Sequence, residues 1–278
     1  MTDDPVAHFR EHGYATARGV FSPAEVAELA TAFDRVQARA LDHGASFRDR
    51  NVLYRLAEDP ALGRIVRFVQ WPSYFDGTMA RYRTDPRLLN IVAPLIGRDL
   101  KQIINQLHWK PPGATQVEFG YHQDIHFRRP AAAYRAPETS YLQTMIAVDP
   151  HRPENGAMSV YPGSHRLGPL AFPGRGRIMD APMSRDDLTR LGLDPARLVD
   201  LVLDPGDVAF WHLCTIHGSG PNNAEIDRRA YINGYVTAGN CDRGEWAFRA
   251  GRPCPLGEPV LVHYEDLHTR LEPHYVDE

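Results

Sequence analysis

The sequence predicts a mainly β protein with flanking helices. Helical signals gather in the first hundred residues, short apolar or alternating segments follow from about Leu100, and no β-α-β alternation links the two. Helices first and strands afterwards exclude a doubly wound sheet. They favour an antiparallel sandwich or barrel buttressed by helices.

The first clear helix opens at Ser22-Pro23-Ala24-Glu25, which supplies an N-cap hydroxyl, a proline at the first helical position and a glutamate placed to close a capping box. Val26, Leu29, Phe33, Val36 and Ala40 then recur at helical spacing, and Gly44 is a natural stop. A second helix starts at Asp85-Pro86 and carries Leu88, Leu89, Ile91, Val92, Leu95 and Ile96, with Pro94 expected to kink or end it. Strand-like runs then cover 103–110, 140–148, 158–161, 198–203, 208–216 and 229–237. Turn clusters such as Pro111-Pro112-Gly113 and Asp204-Pro205-Gly206-Asp207 separate them. The Pro- and Gly-rich stretch 172–197 reads as a long insertion between strands, of the kind that often serves as a lid. No composition shift marks a boundary, so one domain is expected over 1–278: a helical part to about 98, a β core over about 99–240 and an extension over 241–278.

With 278 residues, 43% hydrophobic and 24% charged, the chain is ordinary for a folded protein with a sizeable core. Its net charge of −4 gives no electrostatic reason to expect nucleic acid or an anionic membrane as partner. No segment approaches the length of a membrane helix, and MTDDPVAHFREHGY has no apolar signal-peptide core. Cys214, Cys241 and Cys254 lack CxxC spacing and read as reduced thiols, with Cys214 in the core, which implies a cytoplasmic setting. GxGxxG, GxxxxGK[ST] and GxSxG are all absent, which lowers nucleotide binding and serine hydrolysis.

What remains is a histidine–carboxylate pattern. His122-Gln123-Asp124 places two ligand types at i and i+2, on one face if the segment is a strand. Two histidines and one carboxylate on one face of an octahedral ion leave three positions open, which suits Fe(II) in oxygenases. The composition gives one or two His-x-acid pairs by chance, and there are two, the other being His263-Tyr264-Glu265. The segment from Pro205 to Tyr235 separates them. A Pro-Gly-Asp turn leads through Val208-Ala209-Phe210-Trp211 to His217-Gly218-Ser219-Gly220-Pro221-Asn222, and Arg228 begins a return strand eleven residues after His217. A guanidinium there can grip a carboxylate bidentately while His217 holds the metal. His263 has no such companion pair and reads as structural.

The order His122-x-Asp124, Asn155-Gly156-Ala157-Met158, Pro162-Gly163-Ser164-His165, Gly206-Asp207-Val208, His217 to Asn222 and Arg228 resembles the phytanoyl-CoA dioxygenase family over roughly residues 100–240. The resemblance implies a double-stranded β-helix (jelly-roll, cupin-like) core. It also implies a dioxygenase using Fe(II), 2-oxoglutarate and O2 to hydroxylate a small-molecule substrate with release of succinate and CO2. It makes His122, Asp124 and His217 the iron ligands and Arg228 the anchor for the far carboxylate of 2-oxoglutarate. Ser219 and Gln106 fall at cosubstrate-contacting positions, and Met145 stands where the family often has an aromatic residue. Related halogenases have a small residue in place of the carboxylate, so Asp124 favours oxygen insertion. A cupin-like metal hydrolase or isomerase, or a non-catalytic ligand-binding jelly roll, stays open on the sequence alone.

If Gln106 faces the cosubstrate, the two-residue period turns His108 and Lys110 the same way. Lys110 is one of only two lysines in the chain. With Arg128 just beyond the metal segment, these residues predict a basic lining for a substrate bearing a carboxylate, phosphonate or phosphate. Trp71, Tyr74 and Trp246 are candidates for a pocket wall or for plain packing.

Overall fold

The computed structural model describes residues 4–170, 183–260 and 272–276. Asp4 caps α1 (Pro5–His12), accepting from the amides of Val6 and Ala7, and Gly13 ends it at φ 80° with its N–H returned to Phe9 O. β1 (Tyr14–Ala17) follows. α2 (Pro23–Leu41) begins in the predicted Ser22–Glu25 capping box and buries Val26, Leu29, Phe33, Val36 and Ala40. Next come β2 (Phe47–Asp49), β3 (Val52–Asp59), β4 (Gly63–Gln70), α3 (Gly77–Tyr82) and α4 (Pro86–Ile96). α4 runs two residues past Pro94. The ring removes only the bond to the carbonyl of Asn90, which lies on the exposed face where water can satisfy it.

The remaining elements are β5 (Leu100–His108), β6 (Phe119–His122), α5 (Pro137–Ser140), β7 (Tyr141–Ala147), β8 (Met158–Val160), α6 (Arg185–Arg190), β9 (Val199–Asp200), β10 (Val208–His212), β11 (His217–Ser219), β12 (Ala230–Thr237), β13 (Glu245–Arg249), β14 (Arg252–Pro253) and β15 (His274–Tyr275). The predicted strand over 208–216 ends at His212, and 213–216 lead into the separate β11. Within the 172–197 stretch, α6 is capped by Ser184, while 171–182 lie outside the described residues, as does the His263-x-Glu265 pair.

The strands form two antiparallel sheets. The larger, of eleven strands, runs β1-β10-β7-β12-β5-β4-β3-β2-β15, with the β13–β14 hairpin attached to β5; the smaller runs β6-β11-β8-β9. This corrects the expectation of a helical first part, because four strands of the large sheet come from residues before 98. Charged residues such as Arg55, Glu58, Arg64 and Arg67 interrupt the apolar pattern of β3 and β4 and hid them. Their turn is built by Asp59, whose carboxylate accepts from the amides of Ala61, Leu62, Thr115 and Gln116.

Alternation along the central strands assigns two cores. Leu107, Leu142, Ile146, Phe210, Tyr231 and Tyr235 face the helices and pack with Leu29, Phe33, Val36, Leu88 and Val92. Met145, Ala147, Ala209, Trp211 and Ala230 face the other way and meet Met158 and Val160 of the small sheet. Each fully buried large apolar side chain contributes about 1.5–3 kcal/mol. A two-sheet jelly roll with helices on one outer face results, and the functional residues lie between its sheets. Among the described residues no helix is long and apolar enough to cross a membrane.

Candidate active site

The interior face of the large sheet carries a rung of four residues. Gln106 on β5 is opposite Ile232 on β12, Ile232 opposite Met145 on β7, and Met145 opposite Ala209 on β10. Two sequence-predicted positions, Gln106 and Met145, therefore share one level two strands apart, or about 10 Å. One period along, His108 faces Ala230, and one further the backbones of Lys110 and Arg228 exchange both hydrogen bonds at 3.1 Å. Gln106, His108, Lys110, Ala230 and Arg228 thus point into the sandwich.

The small sheet brings in the metal-type residues. His217 on β11 is directly opposite His122 on β6, with ring centroids 4.2 Å apart. Asp124 is not on the same strand as His122, as the two-residue period predicted. It opens the 3-10 turn Asp124–Phe127 immediately after β6, yet its carboxylate returns to the two rings. His122 Nε2 lies 3.7 Å from Asp124 Oδ1, and His217 Nε2 lies 3.5 Å from Oδ2. Those separations exceed hydrogen-bond reach. One donor atom from each residue falls within 4.8 Å of the others, and this is the one such group of three or more metal-ligating side chains among the described residues.

Both rings are set to ligate through Nε2, because Nδ1 is spent on the backbone. His122 Nδ1 donates to Gly120 O at 2.7 Å and His217 Nδ1 to Thr215 O at 2.9 Å. A carbonyl can only accept, so the tautomer is fixed and the Nε2 lone pairs face the carboxylate. Burial, and then the neighbouring His217 ring, hold His122 down at about 4, which keeps it neutral. Burial pushes Asp124 up, but the neighbouring histidines, Arg128 and the Trp211 N–H together outweigh it, and the carboxyl stays below its ordinary range. Asp124 Oδ2 accepts from Trp211 Nε1 at 3.0 Å and from Gln143 Nε2. Gln123 is wholly buried and ties this loop down, donating to Cys214 O at 2.7 Å and Gly168 O at 3.0 Å and accepting from Leu170 N at 2.8 Å. Two imidazoles that present Nε2, one oriented carboxylate and a set of supporting bonds fit Fe(II).

Arg228 is 4% exposed and its Nε is sealed from water without a hydrogen-bond partner. Asp149, the carboxylate whose charge it feels, is gripped bidentately by Arg229 at 2.9 Å. Burial pulls Arg228 down to about 10, so it remains a cation at neutral pH. A buried guanidinium that has no carboxylate partner among the described residues fits a carboxylate ligand. His108 Nε2 pairs with Gln106 Oε1 at 3.0 Å, and burial with the charges of Arg228 and Lys110 drives His108 down to about 3. Lys110 is completely enclosed; its ammonium donates to Ser219 Oγ at 2.8 Å, Ser219 O at 3.3 Å and Gly220 O. Arg128 is buried as well, its Nε 3.4 Å from Asp124 O and its guanidinium 5.2 Å over the Tyr141 ring.

Sequence reasoning missed Gln143 and Trp211. The signal was present for Gln143, since it stands two residues before Met145 and shares its face. Trp71 is buried and packs on Tyr74 at 5.7 Å, Tyr74 donates to Glu245, and Trp246 lies beneath Arg249.

A His-Asp-His cluster together with a buried arginine whose Nε has no partner, inside a jelly roll, defines an iron-dependent oxygenase of the double-stranded β-helix class. Comparison with known proteins then narrows the class. The family model for phytanoyl-CoA dioxygenase (PhyH) matches residues 9–230, and the chain belongs to that family. It is 26% identical over 242 residues to a probable alpha-ketoglutarate-dependent hypophosphite dioxygenase of Stutzerimonas stutzeri, covering 83% of this chain and 77% of that protein. To the peroxisomal phytanoyl-CoA dioxygenase of Bos taurus it is 28% identical over 240 residues, covering 84% of this chain and 67% of that protein. The iron-bound crystal structure of EctD from S. alaskensis superposes with a TM-score of 0.64 at 24% identity, covering 95% of this chain and 89% of that one. The protein is thus an Fe(II)- and 2-oxoglutarate-dependent oxygenase, and the metal-hydrolase and binding-only readings fall away.

Proposed function

We propose that His122, Asp124 and His217 hold Fe(II), that Arg228 with Ser219 and Gln106 anchors 2-oxoglutarate, and that Met145 forms part of the cosubstrate wall. The reaction is hydroxylation of a C–H bond in a small, anionic molecule, with succinate and CO2 as co-products. When bound, the iron supplies the activation of O2 that the protein's own groups cannot. The chain's part is to aim two imidazole Nε2 atoms, orient one carboxylate, hold the cosubstrate's far end and exclude water from the sandwich. The single observation that carries this reading is the pairing of the His-Asp-His cluster, held by the small sheet, with a buried, anion-seeking Arg228 that the large sheet turns into the same interior.

Anionic substrate character is supported by Arg128, a buried cation one turn beyond Asp124, and by the hypophosphite dioxygenase among the relatives. All three cysteines are free, two of them buried, which supports a cytoplasmic setting. The test is anaerobic addition of Fe(II) and 2-oxoglutarate, which should give a weak visible charge-transfer band, absent from Asp124→Ala and from Arg228→Gln at the same cosubstrate concentration. Small phosphonates, phosphates and carboxylates are then screened for stimulated succinate release. A wild-type protein that binds Fe(II) but develops no band would sink the reading.

A further inference from the structure

Resting on that reading of the site, we infer that Lys110 is a positioning residue for the cosubstrate: through its ammonium it locks the Ser219–Gly220 segment onto the backbone of Arg228, so that hydroxyl and guanidinium act as one anion cradle. The sequence pointed Lys110 at substrate. Its surroundings give its charge another use.

The geometry is closed on every side. Lys110 is fully buried, and its Nζ faces three oxygens of one short segment: Ser219 Oγ, Ser219 O and Gly220 O. Its own backbone exchanges both hydrogen bonds with Arg228, and its carbonyl also accepts from Asn222 Nδ2 at 2.7 Å. One residue therefore joins the end of β5, the chain that follows His217 and the start of the return strand bearing Arg228. An ammonium has three donors and no acceptor. Burial, and then the charge of Arg228, hold Lys110 well below its ordinary value, and its Nζ donates to Ser219 Oγ, so the hydroxyl accepts there and its own hydrogen is directed elsewhere. With Arg228 paired to Lys110 from the large sheet and Ser219 held by the same lysine from the small one, the free O–H is available to the carboxylate that Arg228 grips. The neighbouring ammonium also makes the hydroxyl a stronger donor. Lys110 meets the cosubstrate through Ser219 rather than directly.

The backbone of Ser219 is paired with Met158 of β8 and Phe119 of β6, and Lys110 adds the hold on its side chain and on Gly220. Ser219 ends the three-residue β11, and the register of β11 against β6 shifts between His217 and Ser219. Three bonds from the Lys110 Nζ are the side-chain restraint at that point.

The experiment is a Lys110→Met variant assayed for 2-oxoglutarate binding by the anaerobic Fe(II) visible titration. We expect the dissociation constant for 2-oxoglutarate to rise about tenfold or more, with affinity for Fe(II) unchanged and the turnover number at saturating 2-oxoglutarate held within about twofold. Ser219→Ala should raise it comparably, and Lys110→Met added to Ser219→Ala should change it little further, since the two act as one unit. A general loosening of the fold would instead give additive effects and weaken metal binding too. An unchanged 2-oxoglutarate affinity in Lys110→Met, or full additivity, overturns the inference. Should Lys110→Met fail to fold, Ser219→Ala alone decides, an unchanged affinity again counting against it. Absence of the band in the wild type sinks the oxygenase reading itself, whereas a wild-type band with a normal Lys110→Met titration sinks only this one.

Discussion

His217 lies directly across from His122 in the β6–β11 ladder, and between the ring of His217 and the hydroxyl of Ser219 stands a residue with no side chain. A Cβ on Gly218 would come within 2.9 Å of the Tyr121 ring and 3.0 Å of Phe119 O and Tyr121 N. The close approach of the two strands, and with it the meeting of the imidazoles, depends on that missing atom. Gly218→Val should push β11 from β6 and lower Fe(II) affinity by about tenfold or more while the outer, helix-facing core stays intact. Calorimetric titration with Fe(II) or Mn(II), beside an unchanged far-ultraviolet circular dichroism spectrum, checks this; native affinity would refute it.

Trp211 and Gln143 both donate to Asp124 Oδ2. Trp211→Phe keeps most of the packing and deletes one donor, so the carboxylate becomes less firmly oriented. Metal affinity should fall by 10- to 100-fold, the usual effect of losing a group that orients a ligand. Gln143→Leu should do the same, and the double variant should show whether the two donors substitute for one another.

His108 and His151 supply a pH dependence. Burial, followed by the charge of Arg228, holds His108 at about 3 and His151 well below the ordinary histidine value. Both stay neutral in the native protein while the unfolded chain takes up protons near pH 6.5. The unfolded state then binds more protons, so the contribution to stability is complete above about pH 6.5 and is lost as pH falls from there toward each histidine's native value, about 3 for His108. Each such histidine adds a slope of about 1.4 kcal/mol per pH unit across that window. Urea midpoints of the metal-free protein at about pH 7 and about pH 5 should differ accordingly, and His151→Gln should reduce the difference by one histidine's share.

Gly156 has φ +72°, and a Cβ there would stand 2.5 Å from Gly220 O and 2.6 Å from Pro221 O. Gly156→Ala is therefore strained in its backbone and collides with the segment that Lys110 grips. A loss of about 1–3 kcal/mol is expected, together with weaker 2-oxoglutarate binding. Thermal denaturation and the cosubstrate titration measure the two effects separately.

Much of this architecture was legible in the chain because two different periods stood far apart in it. The capping box at Ser22 and the apolar stripe of α2 announce a helix locally, and β5, β7, β10 and β12 announce strands by their apolar or alternating runs. β3 and β4 did not, because tertiary pairing stabilises strands whose outward residues are charged. The convergence of His122, Asp124 and His217 was readable from spacing and resemblance. Asp124 reaches the rings from a turn rather than along a strand, which no period could reveal. The Trp211 and Gln143 bonds depend on β10 and β7 passing beneath the turn after β6, a fact of topology. The enclosure of Lys110 was hidden for the same reason: the acceptors of its charge are a hundred residues away.

β1 deserves its place in the fold for what it covers. It pairs with β10, putting Tyr14 beside Trp211, and just before it Gly13 O accepts from His212 N at 2.8 Å and from Thr215 Oγ1 at 2.7 Å. Trimming the protein to begin after residue 17 would strip a border from the strand that steadies Asp124. The newly bared β10 would offer open amides and carbonyls to a second molecule. Shortened versions should clump and bind metal poorly together, one injury expressed in two symptoms.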